Sequence, residues 1–191
     1  MPADSHRIAS FPPQVGAGCR VLVLGTVPSV RSLQLRQAYG HRHNLFWPFM
    51  GELFGAGAEL PYAERIARLH RVGIGIWDVL AQCNRRGSLD RSIERSSEVA
   101  NDIPALLAAR RTIRAIALNG GHAQAAFRRH IVPRLSVAQR ARITLLELPS
   151  TSPANASIAR AVKLERWRVL REWTRRPSSR RRTRPAVTDA T

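Results

Sequence analysis

The chain predicts an α/β fold: a three-layer α/β/α sandwich around a short, mostly parallel sheet of four strands. Three observations predict it. Four short apolar runs, residues 20–24, 72–80, 113–118 and 143–148, have the length of buried strands. Longer segments with apolar residues at helical spacing lie between and after them, and such alternation builds a parallel sheet covered by helices. The chain has 191 residues, 44% of them hydrophobic, enough for one domain with a full core.

Residues 1–18, with Pro12-Pro13 and several small residues, read as a loosely ordered lead-in. Residues 19–174 form the predicted domain. Helical character runs over 30–38. The next helix, 45–54, repeats Leu45, Phe46, Phe49, Met50, Leu53 and Phe54 on one face and ends at Gly55-Ala56-Gly57. Pro61 opens a helix to about residue 70. The second strand, 72–80, carries glycines where something packs against its backbone. A polar loop, 83–90, follows. A helix over 101–110 has Asn101 or Asp102 at its cap and Pro104 in its first turn. Asn119-Gly120-Gly121 turns the third strand into a helix ending near His130. Residues 149–155 form a loop after the fourth strand, and 157–173 the last helix. Residues 175–191 hold six arginines against one aspartate, among Pro, Ser and Thr, and read as a disordered basic tail able to hold DNA phosphates without sequence preference.

The net charge is +18. Such an excess implies a polyanionic partner, nucleic acid first. Lys163 is the single lysine among 31 basic residues, so arginine, which forks around phosphate and stacks on bases, supplies the rest. Schiff-base chemistry needs a lysine or terminal amine, and little is on offer. Cys19 and Cys83 make neither a metal-binding set nor a disulfide framework, which fits a reducing cytosol. No apolar run is long enough to span a bilayer, and no continuous apolar leader opens the chain. No membrane role, no metal and no cofactor are expected.

In a parallel sheet the ligand sits beyond the carboxyl ends of the strands. Those ends carry Gly25-Thr26-Val27-Pro28, Asp78, Asn119 and residues 149–155, so the notable polar residues fall on one rim. Residues 41–47, His-Arg-His-Asn-Leu-Phe-Trp, add imidazoles, a guanidinium, a carboxamide and aromatic rings. An apolar core does not need that mixture. A pocket that stacks a flat ring and positions a polar reactant does.

Gly25-x-x-Pro28 followed by His41-x-x-Asn44-x-Phe46-Trp47 resembles the first motif of the mismatch-specific branch of the uracil-DNA glycosylase superfamily. Leu148 to Ala156, Leu-Pro-Ser-Thr-Ser-Pro-Ala-Asn-Ala, resembles the second motif. With Trp77-Asp78-Val79-Leu80 and Gly87-Ser88-Leu89-Asp90, the match is best to the deoxyinosine (hypoxanthine-DNA) glycosylase branch. It covers roughly residues 20–173. Val27 departs from members that carry a water-activating Asn or Asp at that position, and Ser150 stands where the strongest uracil enzymes carry a histidine. Branches with an iron–sulfur cluster need four cysteines.

The resemblance implies a monofunctional enzyme that hydrolyses the glycosidic bond of a deaminated base in DNA. It puts the water-orienting role on Asn44, whose alternative is to cap the helix at 45. Phe46 is expected to stack on the flipped base, or else to be core like Phe49. Asp78 is acceptor-only when ionised and suits the N1–H of hypoxanthine; its alternative is an ion pair with Arg85 or Arg86. Gly25, Thr26, Val27, Pro28 and His41 complete the expected base site. Ser150, Thr151, Ser152, Arg85, Arg86 and Asn119 are expected on the DNA backbone. For Asn119 a plain strand-to-helix turn fits equally, and for the serines ordinary capping. The expected partner is DNA containing a deaminated base, met by a monomer in the cytoplasm at the nucleoid. A uracil or mismatch glycosylase, a DNA-binding protein without chemistry, and a nucleotide-binding protein are the alternatives; the last lacks its glycine-rich signature.

Overall fold

The computed structural model describes residues 6–174; the expected basic tail, 175–191, lies outside them. Strands β1 (Arg7–Ala9), β2 (Val21–Gly25), β3 (Ile74–Asp78), β4 (Leu80–Asn84), β5 (Val99–Ala100), β6 (Ala115–Asn119) and β7 (Thr144–Leu148) form two sheets. The central sheet has the order β3-β2-β6-β7, with every pairing parallel. The helices are α1 (Val30–Leu35), α2 (Phe46–Phe54), α3 (Tyr62–Val72), α4 (Ile103–Ala109), α5 (Gly121–His130), α6 (Val137–Arg142), α7 (Arg160–Trp167) and α8 (Leu170–Thr174).

Alternation along β2 builds the layers, because successive side chains of a strand point to opposite faces. Val21 and Val23 join Ala115 and Ala117 on one face, under Phe49 and Met50 of α2, Leu69 of α3 and Trp167 of α7. Leu22 and Leu24 join Ile116 and Leu118 on the other, against Leu107 of α4 and Phe127 of α5. All of β2 is buried, as a central strand covered on both faces must be. β7 is one edge strand, β3 being the other, and exposes Thr144, Leu145 and Glu147.

Three expectations are corrected. Residues 6–18 of the lead-in are not loose: β1 pairs antiparallel with β4, and β4 with β5, giving a second, three-stranded sheet. Gln14 also bridges Ile76 of β3. The expected strand over 72–80 is two strands. Gly73, left-handed at φ 83, closes α3 and opens β3, and the chain leaves the central sheet after Asp78. There Val79 and Leu80 donate their N–H groups to the carbonyls of Gly25 and Thr26, and β4 runs on into the small sheet. The expected last helix breaks at Arg168–Val169 into α7 and α8. Helix α6 carries a capping box, Ser136 with Gln139, a signal present in the sequence.

Trp167 is fully buried, and its indole N–H donates to the carbonyl of Pro149 at 3.0 Å, so it fastens the loop after β7 to the core. Removing an aromatic of that size leaves a cavity and an unpaired carbonyl. Trp167→Ala should destabilise the fold by about 3–5 kcal/mol, measured by urea unfolding; a loss under about 1 kcal/mol contradicts this packing.

Candidate active site

A cleft opens at the carboxyl ends of the parallel strands. Its wall includes Gly25, Thr26, Val27 and Pro28 after β2, Asp78 ending β3, Asn119 ending β6, and Ser150, Thr151 and Ser152 after β7. Asn44 enters from the turn before α2. A second groove shares Ser88, Asp90, Asn119, Ser150 and Ser152 and continues past Gly120, Gly121 and His122.

Two side chains hold the cleft's shape. The Asn119 carboxamide meets Thr151 twice: its Nδ2–H donates to Oγ1 and its Oδ1 accepts from the Thr151 N–H, both at 2.9 Å. The Thr151 carbonyl in turn accepts from the N–H of Leu45 at 2.9 Å. Thus the end of β6, the loop after β7 and the start of α2 are bolted together beside Asn44. Thr151 is 0% exposed, so its side chain is not the phosphate contact expected of it, and each end of the Asn119 carboxamide spends one bond on holding Thr151. Arg85 is corrected likewise. It is 2% exposed and donates to the carbonyls of Pro28 at 2.6 Å and Gly87 at 3.0 Å, with Asp90 at 3.3 Å. It braces the loop after β2 from inside. Arg86 is exposed, off the cleft wall.

The Asn44 Oδ1 accepts from the N–H of Phe46 at 2.9 Å. The capping alternative is therefore realised, yet the residue also lines the cleft. The bond fixes the amide's orientation: Oδ1 keeps one lone pair, and Nδ2 has no protein partner among the described residues. Both remain for a water molecule.

Phe46 is corrected. It is 0% exposed, absent from the cleft wall, and wedged edge-on against Trp47 and Trp167. Its face is covered by Tyr39, stacked with centroids 3.9 Å apart and planes at 21°. Tyr39 itself lines the cleft, so the aromatic wall is Tyr39 with Phe46 behind it. Tyr39 holds a left-handed backbone, φ 56, rare for a bulky residue. An aromatic followed by Gly40, just before His41, is the sequence signal that marks it. His41 is off the wall; its Nδ1 accepts from the N–H of His43 at 3.2 Å.

Among the described residues Asp78 has no ion pair. Arg85 goes to Asp90 instead. Burial pushes the Asp78 carboxyl up to about 7, helped by the Asp90 carboxylate and opposed by Arg85. Gly25 makes its place: a Cβ there would lie 2.6 Å from Asp78 Oδ1 and 3.3 Å from the Tyr39 hydroxyl. Among the described residues that hydroxyl is buried without a hydrogen-bond partner. Burial, with Asp78 nearby, pushes its pKa far up, so the phenol stays a neutral donor.

The lead-in adds a wall the sequence reading missed: Phe11, Pro12 and Gln14. Trp77 Nε1–H donates to the Phe11 carbonyl at 2.9 Å and pins the segment to β3. Tyr62 fixes the Gln14 amide. Its hydroxyl accepts from the N–H of Ala38 at 3.0 Å, so its own hydrogen goes to Gln14 Oε1 at 2.9 Å. The Gln14 NH2 group is left as a donor in the cleft wall.

Lys163 is off the wall too. It is 2% exposed, and its Nζ donates to the carbonyls of Ser150, at 2.8 Å, and Asn155. It holds the loop after β7 from behind. Among the described residues no three His, Cys, Asp or Glu side chains gather to hold a metal ion, and no helix is long and apolar enough to cross a membrane.

The cleft thus combines an aromatic wall, a half-buried carboxyl group and a carboxamide, closed by loops from every strand of the parallel sheet. The family model for the uracil DNA glycosylase superfamily matches residues 12–171, and the chain belongs to that superfamily. A hypoxanthine DNA glycosylase of Methanosarcina barkeri is 35% identical over 85 residues, 44% of this chain and 54% of that protein. One of Methanosarcina acetivorans is 32% identical over 111 residues, 58% of this chain and 69% of that protein. The aligned stretches thus span about half of the first relative and about two thirds of the second. The solution NMR structure of a candidate uracil DNA glycosylase from M. acetivorans superposes with a TM-score of 0.72 at 26% identity, covering 88% of this chain and 99% of that one.

The raised Asp78 pKa ties stability to pH. A carboxyl that titrates higher in the folded state than in the unfolded one holds its proton better when folded. Its contribution is complete below the unfolded value, near 4, and is lost as pH rises through about 7. Asp78→Asn removes that dependence. Urea midpoints should match wild type near pH 4 and exceed it at pH 8; parallel profiles would contradict the raised pKa.

Proposed function

We propose that the chain is a monofunctional DNA glycosylase that hydrolyses the N-glycosidic bond of deoxyinosine in DNA, releasing hypoxanthine and leaving an abasic site. One observation carries the reading: Asn44, Tyr39 and Asp78 line the same cleft at the strand ends. The two archaeal relatives named for hypoxanthine support the choice of base.

The chemistry follows from the groups. The lesion leaves the stack at a cost of a few kcal/mol. Its ring lies on the face of Tyr39, which tolerates a purine because stacking reads no edge. Hypoxanthine presents N1–H beside the O6 carbonyl. Asp78 accepts the N1–H in either protonation state. The ionised form offers no donor to the N1 of adenine, and that is the discriminating form. The Gln14 NH2 donates to O6, the second point of recognition. As the glycosidic bond breaks, positive charge grows on the sugar. Asn44 holds water against the anomeric carbon, by positioning rather than by removing a proton. Ser150, Ser152 and the groove past Gly120 take the strand beside the flipped nucleotide through hydroxyl and backbone N–H contacts to phosphate. Lyase chemistry needs a free amine in the cleft, and the Lys163 amine is bound to two carbonyls behind it. The enzyme acts as a monomer on chromosomal DNA in the cytoplasm, at the nucleoid.

Uracil is the second reading, since its N3–H beside a carbonyl presents the same face to Asp78. A panel of duplexes with inosine, uracil, xanthine or a G:T mismatch, cleaved with alkali at abasic sites, separates the two. Inosine should be processed fastest; faster release of uracil would reassign the substrate.

Asn44→Ala should lower single-turnover excision by roughly 100-fold or more, the scale of lost reactant positioning, with the urea midpoint lowered only by the lost cap. Near-normal rates would remove Asn44 from the mechanism. Gln14→Glu keeps an acceptor for Tyr62 and deletes the donor. It should reduce kcat/KM on inosine by roughly tenfold or more; an unchanged value means that Gln14 reads nothing.

A further inference from the structure

The pole of the molecule opposite the cleft carries an unneutralised arginine cluster. Between Asp102 and Glu147 the chain has eight arginines and no acidic residue. Three of the eight are paired: Arg128 with Glu147, Arg129 with Glu98, and Arg134 with Asp102. The other five, Arg110, Arg111, Arg114, Arg140 and Arg142, have no ion pair among the described residues. They gather where the parallel strands begin. Arg110 and Arg111 follow α4, and Arg114 precedes β6. Arg140 and Arg142 end α6, just before β7.

Hydrogen bonds tie the cluster together. The Arg142 guanidinium donates to the carbonyls of Leu107 at 2.8 Å, Arg111 at 2.7 Å and Ile113 at 3.2 Å. Burial, then the charges of Arg114 and Arg111, lower its pKa. Arg114 and Arg20 are joined through the backbone, the Arg114 N–H donating to the Arg20 carbonyl at 2.8 Å. Arg71, exposed in the last turn of α3, stands by the start of β3 at the same end. The Arg20 guanidinium donates to the carbonyl of Thr174. The chain therefore leaves the described fold at this pole, and the next ten residues include six arginines. Against all this charge stands Glu172, on α8.

Like charges held together cost stability, and among the described residues no carboxylate pairs with any of these five arginines. We propose that this pole is a second DNA-binding face, which holds the phosphates of a duplex other than the one at the cleft. Geometry requires a second duplex. The two faces lie at opposite ends of the sheet, whose strands alone span about 16 Å. Duplex DNA stays stiff over about 50 nm, so the duplex at the cleft cannot turn back to the far pole. Forked guanidinium groups suit phosphate oxygens. The choice of DNA rests on the function proposed above, since a repair enzyme on chromosomal DNA works among neighbouring segments. Such a face lets the protein pass from one segment to another without leaving DNA.

The test uses the full chain with Arg110→Gln, Arg111→Gln, Arg114→Gln and Arg140→Gln combined. Arg142 is left intact because it braces three carbonyls. Protein is loaded onto an immobilised lesion-free duplex, and capture of a second, labelled lesion-free duplex is measured. Wild type should capture it. The variant should capture roughly tenfold less or lower still, and its salt slope for duplex binding should fall by about 2–4, near 0.9 for each phosphate that is no longer neutralised. Single-turnover excision from a short inosine duplex should be unchanged, which separates this face from the cleft. Undiminished capture by the variant overturns the proposal. So does excision that falls in step with capture, or single-stranded RNA displacing the labelled duplex more readily than DNA does. Replacing the six arginines of 175–184 by Gln provides the last check: if that alone abolishes capture while the pole variant retains it, the folded face is not the site.

Discussion

The paired hydrogen bonds between Asn119 and Thr151 are the constraint on which the site depends. A parallel sheet delivers its strand ends to one rim but leaves the loops beyond them free to splay. The carboxamide prevents that by using both of its ends on one residue of the neighbouring loop. The Thr151 carbonyl then anchors the first turn of α2, next to Asn44. Lys163 holds the same loop from behind through carbonyl oxygens, and Arg85 does the corresponding work for the loop after β2. Asn119, Thr151 and Arg85, expected from the sequence on the DNA backbone, thus serve with Lys163 to keep the cleft in one shape. Preorganisation of this kind is what a positioning mechanism needs, because a carboxamide has little acid–base power of its own.

The cleft's electrostatics come from what is withheld as much as from what is placed. Arg85 is the cation nearest in role to Asp78, yet its hydrogen bonds go to Pro28, Gly87 and Asp90. Asp78 is left half-buried, without an ion pair among the described residues and near the Asp90 carboxylate, and its proton is held to about pH 7. Gly25 is what lets the carboxyl fold over the strand end, since any side chain there would collide with it. The aromatic wall is layered in the same way, with Phe46 buried so that Tyr39 can be presented.

The central sheet was legible because each strand is a short apolar run closed by a polar or small residue, and because a parallel sheet forces the helices between. The position of Asp78, Asn119 and the loop after β7 on one rim followed from that topology alone, whereas Asn44, before α2, was drawn to the site by the motif resemblance. The small sheet was not legible. β1 and β5 are three and two residues long, too short for any alternation to register. Their pairing with β4 is decided by tertiary contact. Phe46 was misplaced because an aromatic at helical spacing beside a polar motif fits a core and a pocket equally well. Gln14 became visible only through Tyr62, a partner 48 residues away that fixes which end of its amide is free.

The docking of β1 has a consequence for how the molecule is made. Arg7 to Ala9 pair with Gln82 to Asn84, so β1 waits until more than seventy further residues have been synthesised before its partner exists. Pairing across such a separation carries a loop-closure cost and is slow. The cleft wall formed by Phe11 and Gln14 therefore waits on β3 and β4, while β6 and β7, which complete the parallel sheet, are made later still.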